Sequence, residues 1–238
     1  MSKPILSVEN VDLGYGNLKV VFNFSLQVAE GELVGLVGGN GSGKSTILRA
    51  ISGMIQPWSG QILFDDEKVK GAKPHQMAKR GLAHVPMGRQ LFPNMSVHEN
   101  LMLGAYLPEA RARRDESLAH VHELFPDLVK HARSPAGELS GGQQQMVAVA
   151  RALMLRPKML IMDEPSLGLS PILVKEVMSS IRRVSQTGLP ILLVEQNVKQ
   201  VLSVSDRAYV LENGRQVLSG PSKDLEGHPM IKKAYLGL

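Results

Sequence analysis

The sequence contains no cysteine among its 238 residues. That absence excludes disulfides, thiolate metal sites and CxxC redox chemistry, and it fits a reducing compartment. Long apolar runs are missing too: the chain nowhere approaches the roughly 18 residues that a bilayer-spanning helix needs. Its start, "MSKPILSVENVDLGYG", has no apolar core of signal-peptide length. The expectation is a cytoplasmic protein that does not itself cross a membrane. Low-complexity tracts, long linkers, internal repeats and sustained heptads are also lacking, which argues against disordered, solenoid and coiled-coil architectures. Charge is close to balanced, with 27 Lys plus Arg against 22 Asp plus Glu and a net charge of +5. Such an excess suits nucleic acid or an anionic membrane surface, and equally a soluble protein with no polyanion partner.

What is present is 43% hydrophobic content, enough for a substantial core, arranged as strands alternating with helices. That pattern predicts an α/β protein. The segments "ILSVENVDLGY", "FNFSLQVAEGE" and "GQILFDD" alternate apolar and polar residues, as antiparallel strands with one wet face do. "ELVGLVG", "KMLIMDE" and "PILLVEQ" read instead as apolar runs bounded by polar residues, typical of parallel strands buried on both faces. Between them, from about Met95 to Ala136, lies a mostly helical stretch rich in Arg, His and Leu.

Three motifs carry chemistry. "GGNGSGKST" satisfies the phosphate-loop pattern GxxxxGK[ST], follows an apolar strand and opens a helix. Its residues are Gly38, Gly39, Asn40, Gly41, Ser42, Gly43, Lys44, Ser45 and Thr46. Glycines let backbone N–H groups converge on phosphate oxygens, and the helix N-terminus adds partial positive charge. Lys44 would hold the β- and γ-phosphates and the Ser45 hydroxyl would ligate Mg²⁺. Second, "MLIMDEP" delivers Asp163 and Glu164 to the C-terminal end of a buried strand, the edge where open α/β sheets bind ligands. Asp163 suits Mg²⁺, and Glu164 suits the orientation or deprotonation of an attacking water. Third, "ELSGGQQQ" offers Ser140, Gly141, Gly142 and Gln143 as a second anion-binding helix start. One γ-phosphate does not need two cradles from one chain. Two subunits facing head to tail would use both.

"LSGGQQQ" between the phosphate loop and "MLIMDEP" resembles the signature of ATP-binding cassette (ABC) ATPases, over nearly the whole chain. "VPMGRQLFP", "MDEPSLGLSP", "LLVEQN" and "VLENGRQVLSG" are most similar to the LivF-like ATPase group of branched-chain amino acid importers. The resemblance implies a single P-loop NTPase domain over 1–238. It would have a mainly parallel central sheet, an antiparallel β subdomain and a helical subdomain at roughly 95–155. It implies an ATPase with ATP and Mg²⁺ as cofactors, lying peripherally on the inner face of the cell membrane. Its partners would be a second ABC ATPase subunit, identical or LivG-like, and transmembrane permease subunits; an extracytoplasmic solute-binding protein would join indirectly, and no nucleic acid is expected.

By the same resemblance, Tyr15 would stack on adenine, "SLGLSP" would couple two sites across a dimer, and Gln196 would stand where most relatives have a γ-phosphate-contacting histidine. Glutamine can hydrogen-bond a phosphate oxygen but cannot carry the charge of an imidazolium. Met87 occupies a position where the family has an oxygen-bearing side chain near Mg²⁺, and a thioether is a poor ligand for that hard cation. Gln90 or water would then supply the oxygen, or the site is slow, or Met87 is ordinary packing in a coupling loop. His120 and His122 point to different faces of a predicted helix and form no metal set. The alternatives are a soluble ABC ATPase acting on nucleic acid or ribosomes, and a regulatory subunit with weak catalysis.

Overall fold

The computed structural model describes residues 3–231. β1 (Pro4–Tyr15) and β2 (Leu18–Ala29) form a long hairpin, and β3 (Leu33–Val37) leads into α1 (Lys44–Ile51). β4 (Ser59–Phe64), β5 (Glu67–Lys68), α2 (Pro74–Arg80) and β6 (Leu82–Val85) follow. Helices then run without an intervening strand: α3 (Val97–Gly104), α4 (Pro108–Ala112), α5 (Arg114–Leu124), α6 (Pro126–Lys130) and α7 (Gly141–Leu153). The chain closes with β7 (Met159–Asp163), α8 (Pro171–Ser185), β8 (Ile191–Glu195), α9 (Val198–Leu202), β9 (Arg207–Glu212), β10 (Arg215–Pro221), α10 (Ser222–Gly227) and α11 (Pro229–Ile231).

Two sheets result. The antiparallel one has the order β2-β1-β4-β5, and the six-stranded one has the order β10-β9-β3-β8-β7-β6. In the larger sheet only the β9–β10 edge is antiparallel. The alternating segments of the sequence thus became the antiparallel sheet and the fully apolar runs became β3, β7 and β8, as expected. Strand alternation distributes side chains between two cores. Leu192, Val194, Ile161 and Leu36 pack with Leu6, Phe24, Ile47 and Phe64 toward the antiparallel sheet. Leu193, Leu160, Met162 and Val37 pack with Val147, Val177 and Ile181 of the helices on the opposite face.

The register matters for function. β8 lies between β3 and β7, with Glu195 opposite Val37 and Val194 opposite Asp163. The C-terminal ends of these strands therefore meet along one edge, where parallel sheets bind ligands.

Candidate active site

β3 ends at Val37 and the chain turns through the glycine-rich loop into α1. Gly43 takes φ +106, and a Cβ there would come within 2.8 Å of Val21. A Cβ on Gly38 would meet the Leu211 carbonyl oxygen at 2.3 Å. The loop is thus wedged between β2 and β9, and at 38 and 43 only glycine fits. Gly43 also caps α1 without a side-chain hydrogen bond, which leaves first-turn N–H groups to serve an anion. Lys44 is 4% exposed. Its Nζ donates to the carbonyls of Gly38 (2.8 Å) and Gly39 (3.1 Å) and lies 3.3 Å from Glu164 Oε1.

At the end of β7, the Glu164 N–H donates to the Val194 carbonyl at 2.9 Å, and Glu164 itself adopts a left-handed backbone, φ +46. The neighbouring Asp163 carboxyl is pushed above the usual carboxylate range by burial; a hydrogen bond from Ser45 opposes the shift and the Glu164 charge adds to it. Asp163 Oδ1 is buried with no hydrogen-bond partner. A buried carboxylate oxygen without a partner, beside a serine hydroxyl, is the donor chemistry a hard divalent cation satisfies.

At the end of β8, Glu195 is 2% exposed and accepts hydrogen bonds from the Ser166 N–H at 2.8 Å and the Gln196 N–H at 3.3 Å. Glu164, Ser166, Gly168, Glu195 and Gln196 line one cavity of about 450 Å³. Gln196 and Glu164 are therefore brought together. Tyr15, 40% exposed, ends β1 with its hydroxyl 3.4 Å from Thr46 Oγ1. Arg49 donates to that hydroxyl at 3.1 Å, and its guanidinium carbon lies 5.9 Å from the ring centre.

Ser140 caps α7. Its Oγ accepts from the Gln143 N–H at 3.3 Å while Gln143 Oε1 accepts from the Ser140 N–H at 3.0 Å. Both side chains are thus committed to a reciprocal cap. Among the described residues, no hydrogen bond or ion pair joins 140–143 to 38–46. A Cβ on Gly141 would meet Leu169 at 2.9 Å and Arg89 at 3.1 Å, and one on Gly142 would meet Leu173 at 3.0 Å.

Met87 is 50% exposed and is followed by Gly88, Arg89 and Gln90, all at positive φ (+82, +64 and +46). α7 holds this loop in shape: Arg89 Nη1 donates to Gln144 Oε1 at 3.0 Å and Arg151 donates to the Gln90 carbonyl at 2.8 Å. Gln90 lines a separate groove of about 440 Å³ with Met54, His84, Phe92, Leu103 and Tyr106. It is not among the residues lining the Glu164 cavity. His120 lies 3.8 Å from Glu123, and the described residues hold no metal-competent cluster of three or more His, Asp or Glu. Sequence reasoning missed Glu195, Arg49 and Arg89. Glu195 carried a signal, as a carboxylate ending an otherwise apolar strand; the two arginines carried none.

The chain can be set beside known proteins. It is 40% identical to the branched-chain amino acid transport ATP-binding protein BraG of Pseudomonas aeruginosa, over 98% of this chain and all of BraG. It is 34% identical to a probable LivF of Archaeoglobus fulgidus (98% and 99% covered) and 33% identical to the lipopolysaccharide export ATP-binding protein LptB of Escherichia coli (98% and 97%). A crystal structure of an ABC transporter cassette in its ADP conformation superposes with a TM-score of 0.85 at 28% identity, covering both chains fully. A dimeric cassette bound to ADP and Pi superposes at 0.73 with 26% identity, covering 91% of this chain and 98% of that one. The family profile described as ABC transporter matches residues 21–167. The phosphate loop, the Asp163–Glu164 strand end and the serine-capped start of α7 thus lie in a chain that belongs to the ABC transporter ATPase family.

Proposed function

We propose that this ATPase energises the uptake of branched-chain or related amino acids. The similarity to BraG along the entire length is the observation that carries this reading. The 33% identity to LptB favours a second one, in which the same cassette drives export of an amphipathic cargo. Uptake of radiolabelled leucine by cells lacking the chain separates them: it falls and is restored by the wild-type chain but not by Glu164→Gln. Unchanged uptake overturns the import reading.

The residues divide the work. Lys44, held by two loop carbonyls and Glu164, exchanges Glu164 for the β- and γ-phosphates when ATP enters. The loop amides at Gly38–Gly43 and the start of α1 take the remaining phosphate oxygens, and Tyr15 stacks on adenine with an energy of about 1 kcal/mol. Ser45 and Asp163 would hold Mg²⁺, which supplies charge neutralisation on the phosphates. Glu164, released from Lys44, accepts the proton of the attacking water. Gln196 faces the same cavity and offers an amide to the γ-phosphate.

Ser140, Gly141 and Gly142 complete the site in trans, from a second cassette. The helix of a permease subunit docks in the groove of His84, Phe92, Leu103 and Tyr106, whose exposed apolar rim suits a helix-in-groove contact. Light scattering on Glu164→Gln tests the dimer. Association on adding Mg-ATP is expected, whereas a monomer that binds ATP would show that the partner is an unlike cassette.

A further inference from the structure

We propose that Glu195 is a positioning residue for ATP hydrolysis, acting through Ser166 and Gln196 to hold the 164–169 loop against the end of β8. Its burial is otherwise hard to explain. β8 is buried along its whole length, and among the described residues Glu195 has no ion-pair partner, since Lys44 is paired with Glu164. A buried carboxyl group is costly unless its oxygens are satisfied by hydrogen bonds. Here they are: the Ser166 N–H and side chain both reach it, as does the Gln196 N–H. Burial raises its pKa, those hydrogen bonds oppose the shift, and the Glu164 charge adds to it.

The loop it holds needs holding. Glu164 sits at φ +46, a left-handed conformation that costs a non-glycine residue free energy and persists only where the surroundings impose it. Two anchors impose it, both from β8. The Val194 carbonyl takes the Glu164 N–H, and Glu195 takes the Ser166 N–H two residues on. Between them the Glu164 carboxylate is aimed at Lys44. Farther along the loop, Leu169 packs against Gly141 at the start of α7. Of the two anchors only Glu195 is a side chain, and it ties down the part of the loop that runs from the base toward the start of α7. The phosphate loop does not depend on it.

That separation gives the test, which rests on the ATP-hydrolysis reading; wild-type turnover and its loss in Glu164→Gln report on that reading independently. Glu195→Val removes the clamp and keeps the site buried, whereas Glu195→Gln keeps an acceptor for Ser166. The expected result is a fall in kcat of about tenfold or more for Glu195→Val, with KM for ATP within about twofold and kcat of Glu195→Gln within about threefold of wild type. Amide exchange across 165–169 accelerates in Glu195→Val while 191–194 stays protected, a readout that needs no turnover. If Glu195→Val does not fold, Glu195→Thr, too short to reach Ser166, carries the same expectations. Wild-type kcat and wild-type exchange in the clamp-less variant overturn the proposal, as does an equal loss in Glu195→Gln or a matching rise in KM.

Discussion

Asp163 shows what a single side chain gives up for function. Its buried Oδ1 has no hydrogen-bond partner among the described residues, an arrangement that costs stability unless a cation satisfies it. Asp163→Asn removes that charge, and the nucleotide-free variant is expected to gain about 1 kcal/mol while losing Mg²⁺-dependent turnover about a hundredfold. Thermal unfolding and ATPase assays check the two effects separately. His84 titrates in the opposite sense. The Ser52 hydroxyl donates to the Leu48 carbonyl at 2.8 Å, so its 3.3 Å contact with His84 Nδ1 uses the ring N–H. Nε2 is then a bare acceptor, buried without a partner, and burial pushes the pKa down to about 4. Between pH 6.5 and that value the unfolded chain binds a proton that the folded chain refuses. Stability is therefore full above the unfolded pKa and falls as the pH drops. His84→Gln removes this dependence, and from pH 7 to 5 it is expected to lose about 2 kcal/mol less than wild type in urea titrations. The loop glycines, Lys44, Asp163 and Glu164 were legible because their chemistry has a fixed spacing. Glu195 stood out only as a carboxylate ending an apolar strand; its contact with Ser166 was not legible, because it depends on β8 lying beside β7, a relation that local sequence does not encode.

At the level of elements, the strands were more readable than the helices. Complete burial on both faces wrote β3, β7 and β8 as unbroken apolar runs. The stretch 108–130, by contrast, reads as generally helical yet divides into α4, α5 and α6. Pro108 and Pro126 occupy first-turn positions, and Arg113 and Phe125 leave helical geometry with φ of −117 and −131. Proline at a helix start needs no hydrogen-bond donor, which makes it a boundary. In α8 Val174 is the buried apolar residue of the first turn, ahead of Val177, Ile181 and Val184. The caps permit a matched comparison, because α3 and α7 both begin with reciprocal serine caps, at Ser96 and Ser140. Ser96→Ala and Ser140→Ala are each expected to cost about 1 kcal/mol. Only Ser140→Ala should also weaken ATP-driven association, so equal association by the two variants would place the α7 start outside the dimer site.

For the whole molecule, the proposed contact with membrane subunits falls on the groove carrying Phe92, Leu103 and Tyr106. Tyr106→Glu places a charge on this apolar surface and is expected to abolish co-purification with the permease, leaving ATP binding intact. Retained co-purification would move the docking site elsewhere. The sheet order has a further consequence, for how the protein is made. β3 and β7 are synthesised before β8, yet β8 lies between them. Until residue 195 has left the ribosome, both strands present unpaired edges, the kind of surface on which chains aggregate. The catalytic edge and the middle of the sheet are thus completed by the same late insertion, and a nascent chain stopped short of β8 has neither a closed core nor an active site.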